Sequence, residues 1–404
     1  MTKLERKFFD GAQKYVLWIV LFAVTAMGLM LRFCGRDFLS GDYKSFLLPW
    51  WNRIDKAGLA GLGTQVGNYN IPYQILIYLF TLLPFGPLYS YKLLSVVFDL
   101  LLAGSAALLV GSCSEKKSPV KAVMAYCIVF CSLTVMFNSA FWAQCDSIYT
   151  AFILLSIYFL RKEKHILSFV MLGAAFAFKL QFIFLLPVFL YYYATTRKLS
   201  ILHFLIIPAV NILLCLPGII MGRGILDTFT IYLEQTDYGK LIQMNFPSIF
   251  AFLCNGKDTT YYYLFKSFSI FFTVTVLGMG LGLVMYKKTD LTKPKTFLLT
   301  AIWTVFTCLM FLSSMHERYS YLLDILLILY VFVSGKYLWL AIACNLVSLR
   351  GYSAYLFKFE AFDLKTASIV YIALYAYTTW LFVKEVAVKQ VLPATDHLEV
   401  SAQC

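Results

Sequence analysis

The sequence is poor in charge: 14% of its 404 residues are Asp, Glu, Lys or Arg, against 61% hydrophobic. A soluble domain carries roughly a quarter charged residues, so a water-exposed globule is excluded. The ten cysteines contain no CxxC pair and fall mostly inside apolar runs, which argues against both a zinc site and a disulfide framework. Also missing are a GxxxxGKS/T loop, a GxGxxG after a strand and a GxSxG elbow, so ATP-driven transport by this chain alone is not supported. The surplus of base, a formal charge of +13, sits in short clusters between apolar runs. That distribution is topological and does not suit nucleic acid.

What the chain does have is apolar runs from Tyr15 to Val383, many approaching the roughly 20 residues that a helix needs to cross the hydrocarbon core. The expected fold is all-α, a polytopic bundle of about 12 transmembrane helices. The crossings are placed at 15–33, 88–111, 120–137, 148–160, 166–178, 182–194, 201–221, 261–286, 297–310, 321–333, 337–349 and 367–383. The first follows Lys3, Arg6, Lys7 and Lys14 without a small-residue cleavage site, so it reads as a retained helix. The stretch 166–193 has Lys179 inside it and basic clusters on both flanks, which favours two short helices. The run 71–85, bounded by Pro72, Pro84 and Pro87, reads as a re-entrant or juxtamembrane helix.

Basic clusters at the amino terminus, Lys116, Lys117 and Lys121, Arg161, Lys162 and Lys164, Arg197 and Lys198, Lys287 to Lys295, and Lys384 and Lys389 mark one side as cytoplasmic. Both termini fall there. The other side receives a first outer loop at 34–70, a second large loop at 222–260 and the turns at 141–146 and 316–318. Residues 1–391 form one transmembrane domain on this reading, and 392–404 a cytoplasmic tail. Within the first loop, SFLLPWWNRIDKAGL mixes Trp50 and Trp51 with charged residues and suits an interfacial amphipathic helix.

Ionisable groups near a membrane are costly, so their positions carry information. One outer face collects Asp42, Asp146, Lys179, Gln181, Asp237, Lys240, His316, Glu317 and Arg318. Asp42 could be a general base for a substrate hydroxyl, or a cap or turn residue. Asp146 opens a helix, where its charge meets the positive end of the dipole; with Gln144 it could also hold sugar hydroxyls. Lys179 either snorkels or meets a lipid phosphate. The run His316-Glu317-Arg318 is either a local Glu317–Arg318 ion pair beside an interfacial histidine, or a phosphodiester clamp. No second histidine follows at zinc spacing. Asp99 and Asp324 fall mid-helix and could mark a proton path or pair within the bundle.

In order, these motifs resemble the multi-spanning GT-C glycosyltransferases that use polyprenyl-phosphate sugars, among them dolichyl-phosphate-glucose glucosyltransferases and their bacterial relatives. Gly41-Asp42-Tyr43 with Trp50 or Trp51 is similar to GDYExxRHW, and Tyr69-Asn70-Ile71-Pro72-Tyr73 to YPPL. Phe178-Lys179-Leu180-Gln181 is similar to FKQM, and His316-Glu317-Arg318 to the late HEK or HER turn. Phe141 to Ser147 looks like WGQxDS and Asn245 to Ser248 like NxPS, with Lys44, Ile71 and Ala143 departing from the pattern.

The resemblance implies a GT-C-like architecture with a helical first outer loop, and an inverting transfer of a hexose, mannose or glucose, from a polyprenyl-phosphate donor. The acceptor would be an extracytoplasmic glycan or lipid-linked sugar of the cell envelope. Asp42 would be the base. Lys179, His316 and Arg318 would hold the donor phosphate, and Tyr43, Gln144, Asp146, Gln181 and Glu317 would contact sugar or acceptor. No redox cofactor or nucleotide is required, no ligand set calls for a metal although a divalent ion is compatible, and the partners are membrane lipid and substrates rather than nucleic acid. Compact termini and short loops point to a bacterial plasma membrane. The alternative is a flippase or secondary transporter of lipid-linked sugar, whose mark would be an inverted repeat. A chain polymerase or ligase would use arginines and histidine of its large loop, whereas 222–260 holds Arg223 alone.

Overall fold

The computed structural model describes residues 1–113, 118–253 and 260–387. Lys116, Lys117, Lys389, Cys254, Cys404 and the expected tail at 392–404 lie outside them. Among the described residues the backbone is helical nearly throughout and no strand forms, leaving isolated bridges from Met244 and Asn245 to His316.

The chain opens with α1 (Lys3–Cys34), started by a capping box between Thr2 and Glu5. A π-helical turn at Tyr43–Leu47 leads into the amphipathic α2 (Leu48–Ala57). Next come the short α3 (Ile71–Thr81), capped by Asn70, and the long α4 (Pro87–Cys113). α5 (Pro119–Phe130) and α6 (Leu133–Met136) are bent by 46° at their break. A second π-helical turn, Phe137–Phe141, precedes α7 (Asp146–Arg161), α8 (His165–Phe178) and α9 (Leu186–Thr196).

The second half holds α10 (Ile206–Ile220), α11 (Asp227–Thr236), α12 (Phe250–Leu253), α13 (Tyr262–Tyr286), α14 (Pro294–Phe311), α15 (Tyr321–Ser334), α16 (Leu338–Phe357) and α17 (Leu364–Ala387). Among the described residues seven helices are long and apolar enough to cross a membrane unaided, and the bent α5–α6 pair makes eight. The other expected crossings correspond to the shorter α7, α8, α9 and α15. α14 and α15 are apolar all round and buried along most of their length, as central helices of a bundle must be. α1, by contrast, turns Trp18, Phe22 and Met30 outward, a surface suited to lipid.

The stretch around Lys179 forms two legs. Glu163, just before α8, and Lys198, just after α9, pair at 2.8 Å, so the chain runs out and returns. The turn of this hairpin is Lys179, whose extended backbone (φ −156°, ψ 135°) breaks the helix. At the same end as Glu163 and Lys198, Arg161 donates to the Ser112 carbonyl (3.1 Å), and Lys295 pairs with Glu385 at 2.6 Å. The described basic clusters from Arg161 to Lys198, together with Lys295, therefore gather at one end of the bundle. The carboxyl end of α1, the amino ends of α7 and α15 and the carboxyl ends of α8 and α16 meet at the other.

Near that end, Arg32 of α1 pairs with Asp99 of α4 at 2.9 Å and donates to the Phe130 carbonyl at 2.8 Å. That carbonyl lies where the α5–α6 bend interrupts the helical ladder, so the arginine satisfies a group freed by the bend. Asp99 also accepts from Ser139 (2.5 Å), and Asp324 accepts from Ser348 (2.9 Å).

Candidate functional site

Asp42 sits where the first loop enters its π turn, and its side chain caps no helix. Its carboxylate is instead enclosed by donors from distant segments. Oδ2 accepts from the Trp142 indole N–H and the Gln144 amide, each at 2.8 Å, and Oδ1 accepts from the Tyr355 hydroxyl. Trp142 and Tyr355 stack with ring centroids 4.1 Å apart and planes 11° from parallel, so the two donors brace each other. Arg318 approaches the same carboxylate, Nη1 to Oδ2 at 3.6 Å. The Asp42 side chain keeps 17% exposure, leaving an edge open to the cavity.

Two irregular backbones make this convergence possible. The π turn at Phe137–Phe141 is followed by Ala143 in the left-handed region, φ 63°, which swings Trp142 and Gln144 toward Asp42. π turns and left-handed non-glycine residues concentrate at functional sites because the fold must hold them there. The second is the turn after α14, where Ser314 at φ 63° directs His316, Glu317 and Arg318 inward. A strap at 241–245 braces it: the Ser314 N–H donates to the Ile242 carbonyl and the Ser314 hydroxyl to that of Leu241, both at 2.7 Å.

Behind this wall lies a second charged layer. Asp146 and Lys179 form an ion pair, both almost wholly buried, and Asn138 donates to Asp146 at 2.8 Å. Arg318 bridges the layers, its Nε 3.7 Å from Asp146 and its Nη1 reaching Asp42. The Lys179 ammonium also stands over the rings of Tyr69 (5.7 Å) and Tyr149 (5.8 Å). Arg318 thus takes Asp42 and Asp146 as its carboxylate partners among the described residues, rather than the adjacent Glu317.

A cavity of about 550 Å³ opens in front of Asp42, with Gln144, His316, Glu317 and Arg318 in its walls. Burial, and secondarily the charge of Arg318, holds the His316 imidazole down to about 3, so it is neutral at physiological pH. Burial pushes the Glu317 carboxyl up to about 7. Among the described residues no group of three or more His, Cys, Asp or Glu is arranged to hold a metal.

The expected polar face is only partly one site. Asp42, Gln144, His316, Glu317 and Arg318 line the cavity. Asp146, Lys179 and Gln181 are buried behind it. The Tyr43 side chain packs into an apolar cluster with Leu47, Trp51 and Tyr91, and does not line the cavity. Asp237 pairs with Lys266 at 2.5 Å, and Lys240 lies over Tyr263.

Sequence reasoning missed Tyr355, Trp142, Asn138 and Tyr69. The hydroxyl of Tyr69 donates to Gln144 Oε1 at 3.2 Å, so both ends of that amide are engaged. Trp142 stood inside the FWAQCDS run and could have been found there. Tyr355 could not, because the crossing expected to end at Leu349 continues to Phe357 and carries it to the site.

Residues 68–315 match glycosyltransferase family 87, more than half of the chain, and the protein belongs to this family of GT-C-type membrane glycosyltransferases. No curated protein matches the sequence significantly. The matched stretch contains Tyr69, Trp142, Gln144, Asp146, Lys179 and Gln181, and it ends on either side short of Asp42 and of His316 to Arg318.

Proposed function

We propose that this family 87 glycosyltransferase transfers a hexose from a polyprenyl-phosphate donor, with inversion, to a glycan or lipid-linked acceptor on the extracytoplasmic side of a bacterial plasma membrane. The observation that carries the reading is the meeting of Asp42 with Arg318 in one cavity, at the end of the bundle away from the basic clusters. Placing those clusters in the cytoplasm puts the cavity outside, with the start of α1 and the end of α17 inside. At about 1.5 Å per residue the 14 residues of α8 and 16 of α7 rise roughly 21 and 24 Å, less than a hydrocarbon core of about 30 Å. Their polar ends then open into a depression that a donor lipid headgroup enters sideways from the outer leaflet.

In the reaction, the acceptor hydroxyl oxygen attacks the anomeric carbon as its proton passes to Asp42. The bond from that carbon to the phosphate oxygen breaks on the opposite face, and the lipid phosphate leaves with the electron pair. Arg318 balances the charge gathering on that phosphate, and neutral His316 supplies a hydrogen bond rather than a second cation. Lys179 acts from behind: by neutralising Asp146 it leaves the Arg318 guanidinium available to the phosphate. Gln144 and Glu317 stand in the walls where sugar hydroxyls would lie; Gln181 and Tyr43 support the walls.

A flippase would bind the same phosphate but has no use for a carboxylate oriented by three donors, which is why transfer is the preferred reading. The test is sugar transfer by the purified protein in lipid nanodiscs, from a panel of polyprenyl-phosphate hexoses to an extracted acceptor pool, beside Asp42→Asn. Loss of transfer by about 10²–10⁴-fold in the variant, with donor binding retained, supports the assignment. Donor movement across vesicles without transfer would replace it with the flippase.

A further inference from the structure

We infer that Trp50 is the platform on which the acceptor sugar rests, an assignment that builds on the transferase reading above. The cavity has two unlike walls. On one side stand His316 and Arg318, suited to an anion. Away from them the first loop presents aromatic surface and a neutral amide through Phe46, Trp50, Asn68 and Tyr69, and the strap at 241–245 adds the uncharged Gln243, Met244 and Asn245. A phosphate finds no cation on that wall, whereas a pyranose, with an apolar C–H face and a rim of hydroxyls, matches aromatic surface edged by amides.

The two adjacent tryptophans have different tasks. Trp51 is buried against Tyr91, ring centroids 5.7 Å apart, and anchors α2 to the core. Trp50, half-buried, points the other way into the cavity with Phe46, four residues earlier and 6.1 Å away. Neither therefore fits a simple membrane-surface anchor. Gly67, in the left-handed region at φ 72°, lies flat against the indole: a Cβ there would come within 2.6 Å of its ring carbons. Tyr69 meets the indole edge-on at 5.6 Å. With Gly67 packed against it and the Tyr69 ring standing nearly perpendicular to it, the indole is fixed before substrate arrives and loses little freedom on binding. Asp42, four residues before Phe46 along the loop's π turn, borders this wall, so a hydroxyl of the stacked sugar is presented to the base.

The experiment is steady-state transfer in nanodiscs with short-chain polyprenyl-phosphate hexoses as donors and a panel of octyl hexosides as acceptors, comparing wild type, Trp50→Ala and Trp50→Phe. Thermal melting of each variant confirms folding. Trp50→Ala should raise the acceptor KM about tenfold, the value of one aromatic stacking contact, while the donor KM stays within about twofold. Trp50→Phe should fall between it and wild type. An unchanged acceptor KM in Trp50→Ala, or a rise confined to the donor KM, overturns the platform and in the second case gives the wall to the donor lipid. Wild type that transfers to no octyl hexoside while consuming the extracted acceptor pool overturns it too, whereas wild type that transfers to neither refutes the transferase reading itself.

Discussion

Lys179→Met tests the layered arrangement of charge most sharply. Lys179 and Asp146 are 3% and 1% exposed, so their ion pair is buried on both sides. Removing one member of such a pair strands the other and costs about 3–5 kcal/mol. What remains to Asp146 is one hydrogen bond from Asn138 at 2.8 Å and Arg318 at 3.7 Å. Arg318 is nearly equidistant from its two carboxylates, 3.6 Å from Asp42 and 3.7 Å from Asp146. With Lys179 gone, Arg318 should move toward Asp146, and on the proposed mechanism the donor phosphate then loses its cation.

The single variant should therefore melt earlier and bind donor more weakly. Adding Asp146→Asn removes the stranded charge while keeping shape and hydrogen-bonding capacity, so Asp146→Asn/Lys179→Met should recover stability to within about 1 kcal/mol of wild type. Donor affinity should return with it, because Arg318 is released. The assays are thermal melting in nanodiscs and donor titration of the four members of the cycle. If the double variant recovers stability but not donor affinity, Lys179 touches the phosphate directly and the second-layer argument is wrong.

Two further predictions follow from single residues. Burial raises the Glu317 carboxyl to about 7 from an unfolded value near 4.5, so its contribution to stability is complete below about 4.5 and is lost as pH rises through 7. Its ionisation beside Arg318 should also weaken donor binding over the same interval; Glu317→Gln should flatten that limb in a pH series of donor titrations, and an unchanged limb would remove Glu317 as its source. Ala143 holds φ 63° where the motif it resembles has glycine. Ala143→Gly should stabilise by about 0.5–1 kcal/mol, relief of left-handed strain exceeding the entropy a glycine loses, with transfer unaffected; a lower melting temperature would mean that the Ala143 methyl group contributes packing that outweighs its strain.

The bundle was readable in the sequence because each crossing is a local property. Apolar runs long enough to span are visible without knowing their neighbours, and each expected crossing coincides with a helix, including the broken pair around Lys179. The amphipathic helix of the first loop was legible for the same reason. What the sequence concealed is pairing. Lys179 in an apolar run reads equally as a snorkelling group and as a phosphate ligand, because its partner Asp146 lies 33 residues away and is joined to it by a turn of the fold. Glu317 and Arg318 are neighbours in sequence and read either as a local ion pair or as part of a phosphodiester clamp, whereas the turn at Ser314 sends the arginine to Asp42 and Asp146.

Tyr355 shows why the omission was unavoidable. Nothing in GYSAYLF marks a catalytic environment, and its hydroxyl becomes relevant only because α16 runs two turns past its apolar stretch and comes alongside the second π turn. A carboxylate meant to work beside lipid must be held by groups that water would otherwise supply. The fold provides them from three remote segments, Trp142 and Gln144 from the turn before α7, Tyr355 from α16 and Arg318 from the turn before α15. Such an arrangement has no local signature, since each donor is an ordinary residue until the helices bring it to Asp42. Sequence motifs therefore single out Asp42 and Arg318, while the groups that orient them belong to the tertiary structure.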